Sequence, residues 1–248
     1  MKNNLLYILI FFPVYCFCDL YIDPTQVIYQ RTKKYPKSTY KKIMQVSPMR
    51  TGSTLVYNVL RMLFEEEEFF EVSAFKSTQH EVCKWHCFSN DILRSDYIYF
   101  ITKRNPLDTI YSRCRLSKST PGEERIRKLC SQYLHFYKRV EELRNKLNIV
   151  VLEYEKFSND IDKIFKAVED TFSFDIDPQD QSLLKEAFSK ENLLIYSNNF
   201  QKFNYYDESV LIHGNHINDD SIDMELKDRI RRILKEYKNE VNKLGYKI

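Results

Sequence analysis

The stretch KIMQVSPMRTGSTLVYNVLRMLF, residues 42–64, carries the pattern that decides the fold. Its apolar run Ile43, Met44 and Val46 stops at Ser47 and Pro48. From Leu55 to the end of the stretch, apolar residues recur at the spacing of a helix face. The stretch therefore predicts a buried strand, a tight loop and an amphipathic helix in direct succession.

The loop between this strand and helix has the composition of an anion site. Arg50, Thr51, Gly52, Ser53 and Thr54 supply a cation, three hydroxyl groups and a glycine where the helix begins. The first N–H groups of a helix have no partner within it, and the helix dipole favours negative charge there. We therefore predict that a phosphate or a sulfate binds at this point.

The composition excludes some classes of protein. The chain has 248 residues, which suits one domain, or one domain with a targeting segment. It is 43% hydrophobic, so it can bury a core, and its 29% charged residues nearly balance at a net charge of +3. This argues against a disordered tail protein and against a dedicated duplex-DNA binder, and no nucleic-acid partner is expected. Any anion must therefore be bound by a few neighbouring residues and not by a generally basic surface.

The first 18 residues, MKNNLLYILIFFPVYCFC, are predicted to be a signal peptide, residues 1–18. A single lysine precedes an apolar run that is shorter than the roughly 20 residues of a membrane span. This favours a secreted protein, or one in the lumen of the secretory pathway. Two alternatives remain open. The segment could be an uncleaved signal anchor, which would be the protein's one contact with a membrane. It could also be a non-secretory segment, in which case the protein would be cytoplasmic.

Four cysteines follow the targeting segment: Cys83, Cys87, Cys114 and Cys130. Their even number is compatible with disulfide bridges in an oxidising compartment, with the pairing left open. A zinc site built from the first two of these cysteines with His80 and His86 is disfavoured. No second spaced pair is available to complete its tetrahedral coordination.

The rest of the chain divides into an arm and one domain. Residues 19–40 are polar, rich in tyrosine and interrupted by Pro24 and Pro36, so we assign them to an N-terminal arm. The domain is predicted to span residues 41–248. Further strands are predicted at 81–85, 96–102 and 148–152, and helices at 106–116, 123–147, 158–172, 179–188 and 221–244.

Strands that alternate with helices predict a layered α/β fold. The strands pair in parallel through right-handed crossovers, which place helices on the faces of the sheet. Ligands of such sheets bind beyond the carboxyl ends of the strands. Arg50, His86 and Arg104 each follow a strand end, so we expect them to converge on one rim of the sheet.

The loop does not match the Walker pattern of nucleotidases, which needs a glycine, four residues and then Gly-Lys-Ser/Thr. Residues 50–54, Arg-Thr-Gly-Ser-Thr, instead resemble the 5′-phosphosulfate loop of the sulfotransferases that use 3′-phosphoadenylyl sulfate (PAPS). In that family a basic residue precedes Ser-Gly-Thr-Thr at a strand-to-helix turn. The resemblance implies a three-layer, P-loop-like fold in which a central parallel sheet is flanked by helices.

A second element resembles the same family. Arg104 follows a strand and Ser112 lies eight residues further along a helix, as in the family's 3′-phosphate site. A guanidinium and a hydroxyl at this spacing can both face a phosphate at the helix start. The resemblance therefore implies that these two residues bind the 3′-phosphate.

Two shorter matches complete the resemblance. Lys84-Trp85-His86 is similar to the Lys-Thr-His segment of the family, which implies His86 as general base and Lys84 as a ligand of the sulfuryl oxygens. Tyr154 resembles the tyrosine at a strand end that packs near the adenine. The basic loop that closes over the nucleotide in the family is missing. Gly214 and its neighbours stand in that region, and Gly214 is implied to keep the close backbone approach.

The resemblance implies a PAPS-dependent sulfotransferase that moves a sulfuryl group to an acceptor hydroxyl. The acceptor would be a glycan, a protein tyrosine or a small molecule. His86 would take the hydroxyl proton, Arg50 and the loop would stabilise the departing phosphate, and no metal would be needed. Two alternatives remain: an inactive module that binds adenosine bisphosphate, and a divergent nucleotide kinase.

Overall fold

The computed structural model describes residues 22–67, 80–116, 120–201 and 223–248. Within these ranges the chain forms one sheet of four parallel strands, in the order β2-β1-β3-β4. The strands are β1 (Lys42–Val46), β2 (Val82–Trp85), β3 (Tyr97–Lys103) and β4 (Asn148–Glu153). All four predicted strands are present within about one residue of their predicted bounds, and the parallel α/β sheet is confirmed.

Helices connect and follow the strands. They are α1 (Val27–Gln30), α2 (Ser53–Phe64), α3 (Pro106–Arg115), α4 (Glu123–Leu143), α5 (Tyr154–Phe157), α6 (Asp162–Phe172), α7 (Pro178–Ala187), α8 (Lys190–Gln201), α9 (Met224–Lys235) and α10 (Lys238–Lys243). Single-turn 3₁₀ helices cover Pro24–Gln26 and Asn90–Ile92. The prediction of one helix over 221–244 is wrong, because the chain breaks between α9 and α10.

The sheet is covered on both faces, as the three-layer prediction requires. Side chains alternate between the faces of a strand, so Ile43 packs with α2 on one face while Met44 and Val46 pack with α4 on the other. The central strands β1 and β3 are buried on both faces, which explains why they read as continuous apolar runs.

The segment before β1 packs into the domain. Val27, Ile28 and Tyr35 are almost fully buried in the core that includes α2. Arg31 donates hydrogen bonds to three carbonyl groups at the C-terminal end of α2, those of Met62, Leu63 and Glu65. The assignment of residues 19–40 to an arm separate from a domain beginning at residue 41 stays a prediction.

The structure describes the helices and the four cysteines that follow residue 21, but not the predicted targeting segment. Across the described ranges, no helix combines the length and the apolar character that crossing a bilayer requires. Residues 1–18 lie outside those ranges, so the signal peptide stays a prediction. Cys83, Cys87, Cys114 and Cys130 are all free thiols. The last two are buried between α3, α4 and α9, and burial raises the pKa of both.

Candidate functional site

A sharply turned loop joins β1 to α2 at the carboxyl end of the sheet. The Ser47 N–H donates to the Trp85 carbonyl at 3.1 Å, which extends the pairing of β1 with β2 by one residue. Arg50 and Gly52 then take left-handed conformations, with φ of 71° and 81°. A non-glycine residue rarely adopts such a φ. The two residues turn the chain into α2 within a few positions.

Gly52 lies against two aromatic rings that follow β4. A Cβ atom at this position would stand 2.5 Å from Cδ2 of Tyr154 and 2.8 Å from Cζ of Phe157. Both distances are shorter than any normal contact, so only glycine fits. The loop is therefore clamped between its own sheet and α5.

The hydroxyl of Thr51 is committed to the loop itself. Thr51 is fully buried, and its Oγ1 donates to the Pro48 carbonyl at 2.8 Å and lies 2.7 Å from the Thr102 hydroxyl. Thr51 could therefore contact a ligand only through its backbone N–H group. Ser53 is also buried, whereas Thr54 is half-buried at the start of α2.

The two predicted phosphate elements are in direct contact. Arg50 Nε donates to the Ser112 hydroxyl at 2.8 Å, and Arg104 Nη1 donates to the Arg50 carbonyl at 3.1 Å. Burial lowers the pKa of Arg50, and the charge of Arg104 lowers it further. Two guanidinium groups that repel each other at one rim favour an anion between them.

Arg104 is held in place from several sides. Its guanidinium carbon lies 4.3 Å from the centre of the Tyr154 ring, a cation–π contact. Its carbonyl accepts a hydrogen bond from the Tyr133 hydroxyl. The next N–H along the chain, that of Asn105, donates to Glu155 at 2.6 Å. The structure therefore brings Tyr154 to the predicted site as a partner of Arg104.

His86 is oriented by the loop. Its Nδ1 lies 2.9 Å from the Ser47 carbonyl. A carbonyl can only accept a hydrogen bond, so Nδ1 carries the proton and Nε2 keeps a free lone pair. The side chain keeps access to solvent, yet the surrounding protein desolvates the ring and lowers the pKa of His86, and the charges of Lys84 and Arg113 act in the same direction. The neutral imidazole at pH 7 is the form that a general base requires.

Lys84 is buried, which its position in the sequence did not predict. Only 6% of it is exposed, its Nζ donates to the Thr54 hydroxyl at 2.7 Å, and it stands 5.5 Å from the centre of the Tyr57 ring. Burial lowers the pKa of Lys84 to about 7. Lys84 and His86 share one face of β2 and its extension, whereas Trp85 points to the other face and is 41% exposed.

Two supporting residues were missed by the sequence analysis. The buried Ser47 hydroxyl accepts from the Thr102 N–H at 2.8 Å and from Gln45 Nε2 at 2.7 Å, so it fixes the residue that orients His86. Thr102 also holds the Thr51 hydroxyl. No spacing rule singles out a serine or threonine that contacts only protein, so the sequence offered no signal for either.

Two further predictions concern Gly214 and a metal ion. Gly214 lies outside the described residues. In the part of the chain that the structure describes, no three histidine, cysteine or acidic side chains lie together as a metal site would need.

Comparisons with known proteins bear on the fold of the chain. No protein-family model matches the sequence, and no curated protein sequence matches it. The fold is similar to that of a mouse sulfotransferase, SULT7A1, complexed with PAP: the TM-score is 0.54 with 15% identity, over 87% of this chain and 88% of the other. It is also similar to retinol dehydratase in complex with androsterone and the inactive cofactor PAP, with a TM-score of 0.52 and 16% identity over 86% and 84% of the two chains. The chain therefore has the P-loop-like sulfotransferase fold.

Proposed function

We propose that this chain is a sulfotransferase that moves a sulfuryl group from PAPS to an acceptor hydroxyl. The observation that carries the proposal is the contact between the two anion elements, in which Arg50 Nε donates to Ser112. A nucleotide with one phosphate alone would need only the loop at the start of α2. A donor with separate 5′ and 3′ anionic groups needs both elements at one rim.

The residues at the rim fit such a donor. Arg50 and the N–H groups of residues 51–54 would hold the 5′-phosphosulfate at the positive end of α2. Arg104 and Ser112 would hold the 3′-phosphate, and Tyr154 would lie near the adenine. Gly214 is proposed to approach the nucleotide through its backbone. When bound, the donor supplies an activated sulfuryl group.

His86 is the proposed general base. Its Nδ1 proton is held by the Ser47 carbonyl, so Nε2 takes the proton of the acceptor hydroxyl. The acceptor oxygen then forms a bond to sulfur while the bond from sulfur to the phosphate oxygen breaks, and the electron pair leaves with the phosphate. Arg50 stabilises this developing negative charge, and Lys84, which reaches the loop through Thr54, adds a second positive charge when protonated.

Binding and activity assays separate this function from its rivals. For the sulfotransferase we expect calorimetry to show tight binding of PAP (adenosine 3′,5′-bisphosphate) and radiolabelled PAPS to transfer sulfate to a panel of hydroxyl acceptors. Binding of PAP without transfer to any acceptor would instead support an inactive module. A preference for ATP with Mg²⁺ would support a kinase.

Two substitutions test the assigned roles. We expect Arg50→Ala to abolish transfer and weaken PAP binding at least tenfold, since a charge-assisted hydrogen bond to phosphate is lost. We expect His86→Ala to reduce turnover at least a hundredfold, with PAP binding unchanged. Lys190→Gln, an exposed charge removed at the start of α8, serves as the control. Full turnover by the His86 variant would place the base elsewhere.

The cellular location is a separate proposal. We infer from residues 1–18 that the protein enters the secretory pathway, where glycans and protein tyrosines would be its acceptors. Androsterone, which retinol dehydratase holds, is an alcohol-bearing molecule, and a small hydroxyl acceptor fits the same chemistry. N-terminal sequencing of the mature protein tests the location, and an intact Met1 in a cytosolic fraction would contradict it.

A further inference from the structure

Glu155 is a carboxylate beside the anion site for which the proposed reaction has no use. The pairing of β3 with β4 ends at Lys103 and Glu153. Two residues beyond each of these, the Asn105 N–H donates to Glu155 Oε1 at 2.6 Å, a short charge-assisted hydrogen bond. The Glu155 side chain therefore continues the contact between the two segments after the backbone pairing has stopped, where the chain leaves the sheet for α3 and α5.

This contact joins the parts of the predicted 3′-phosphate site. Asn105 connects Arg104 to α3, and its Oδ1 accepts from the Leu107 N–H at 2.9 Å, so it also caps the start of that helix. Glu155 directly follows Tyr154, whose ring lies under the Arg104 guanidinium. One carboxylate therefore ties the backbone that carries Arg104 to the ring that supports its side chain.

The second carboxylate oxygen of Glu155 meets the C-terminal segment of the chain. Its Oε2 accepts from the Tyr246 hydroxyl at 3.4 Å, a longer contact than that with Asn105. Lys103 holds this segment, because its Nζ donates to the Leu244 carbonyl at 3.3 Å and lies 5.5 Å from the centre of the Tyr246 ring. Both oxygens of Glu155 are engaged, which fixes the plane of the carboxylate.

We propose that Glu155, backed by Tyr246, is a positioning residue for the recognition of the 3′-phosphate of the donor. It holds the backbone of Arg104 and, through Asn105, the helix that carries Ser112. A binding site keeps its ligating groups in place through contacts of this kind behind them. Glu155 does not itself bind the donor, because its negative charge would repel a phosphate. This inference rests on the proposed function and concerns the same site.

A pair of nucleotides isolates the 3′-phosphate. AMP (adenosine 5′-monophosphate) lacks the 3′-phosphate of PAP, so the ratio of their dissociation constants, measured by calorimetry, reports the recognition of that group. We expect the wild type to bind PAP at least roughly tenfold more tightly than AMP. Glu155→Ala should weaken PAP binding about tenfold and leave AMP binding unchanged. Glu155→Gln should stay within about threefold of the wild type, because its amide oxygen can still accept from the Asn105 N–H.

Two further variants complete the set. Tyr246→Phe should weaken PAP binding about two- to threefold, because its hydroxyl makes the longer of the two contacts. Glu186→Ala removes an exposed carboxylate from α7 and is the matched control for the change in net charge. It should change neither affinity.

The ratio of the two affinities keeps this inference distinct from the reaction. If no acceptor is sulfated but Glu155→Ala lowers the ratio, the positioning role stands while the transferase function fails. If Glu155→Ala keeps the full preference for PAP, or weakens PAP and AMP alike, the positioning role is overturned. A wild type that binds the two nucleotides equally would overturn it together with the assignment of Arg104 and Ser112.

Discussion

Replacement of Gly52 by alanine tests the claim that the loop is clamped against α5. Gly52 has a φ of 81°, and an added Cβ would lie 2.5 Å from the Tyr154 ring and 2.8 Å from the Phe157 ring. Phe157 is 1% exposed, and the Tyr154 ring lies beneath Arg104. Neither ring is the free end of a flexible side chain, so the clash cannot be relieved cheaply.

The magnitude follows from two costs. Holding a residue with a Cβ in the left-handed region costs about 1 to 2 kcal/mol. Forcing an extra carbon into a packed contact costs about 1 to 3 kcal/mol. Gly52→Ala should therefore lower the free energy of unfolding by about 2 to 5 kcal/mol, a large part of the 5 to 15 kcal/mol typical of a domain.

Two other glycines separate these costs. Gly245 has a φ of 83°, but a Cβ there meets nothing within 4 Å, so Gly245→Ala should show the backbone cost alone. Gly122 has open space and a φ of −65°, so Gly122→Ala should be close to neutral. Urea unfolding followed by fluorescence and circular dichroism measures all three. If Gly52→Ala costs no more than Gly245→Ala, the rings do not clamp the loop and the reasoning fails.

Two further predictions concern a proton and a buried hydroxyl. The pKa of Lys84 is about 7, so Lys84 is largely neutral at pH 8, where the phosphates of PAP are fully ionised, and a bound anion raises the pKa of Lys84. At pH 8 the binding of PAP should therefore take up close to one proton more in the wild type than in Lys84→Met. Calorimetry in buffers of different ionisation enthalpy measures the uptake, and persistence of the uptake in Lys84→Met would refute the assignment. Tyr35→Phe should lower the free energy of unfolding by about 1 to 3 kcal/mol, because the buried Tyr35 hydroxyl donates to Asp180 at 2.6 Å and accepts from the Asp177 N–H at 2.8 Å. Tyr40→Phe, at a half-buried ring, is the control in urea unfolding, and equal losses in the two variants would contradict the prediction.

The strand, loop and helix of residues 42–64 were predictable because their signals are local. Burial on both faces makes β1 apolar, and the loop residues follow from the backbone geometry of a turn into a helix. The rim itself follows from topology, since parallel strands place their carboxyl ends together. The structure accordingly brings Arg50, His86 and Arg104 to one edge, although their roles stay proposals.

Other features depended on partners that are distant in sequence. Glu65 opens a run of four glutamates that resembles a solvated helix end, yet it is fully buried and accepts from the N–H groups of Glu81 and Val82. The depth of Lys84 depends in the same way on its contact with Thr54, thirty residues earlier. Local pattern cannot reveal such contacts, because the sequence around each residue would read the same if the partner were absent.

The break between α9 and α10 has a different cause. The apolar spacing that buries Ile230, Ile233 and Leu234 continues to Val241, so periodicity alone predicts one helix. The backbone instead turns at Tyr237, with a φ of −109°, and its N–H bonds the Leu234 carbonyl. A break of two residues, Glu236 and Tyr237, leaves the pattern of buried positions almost unchanged, so the apolar spacing does not reveal it.

The packing of the N-terminal segment has a consequence for the order of events during synthesis. Thr32 donates two hydrogen bonds to Asp180, 148 residues later, and Ile22 exchanges two with Asn192, 170 residues later. On the ribosome the segment is made early, but its partners emerge only when most of the chain has been translated. Until then these hydrogen bonds cannot form, so the N-terminal segment completes its packing only late in synthesis.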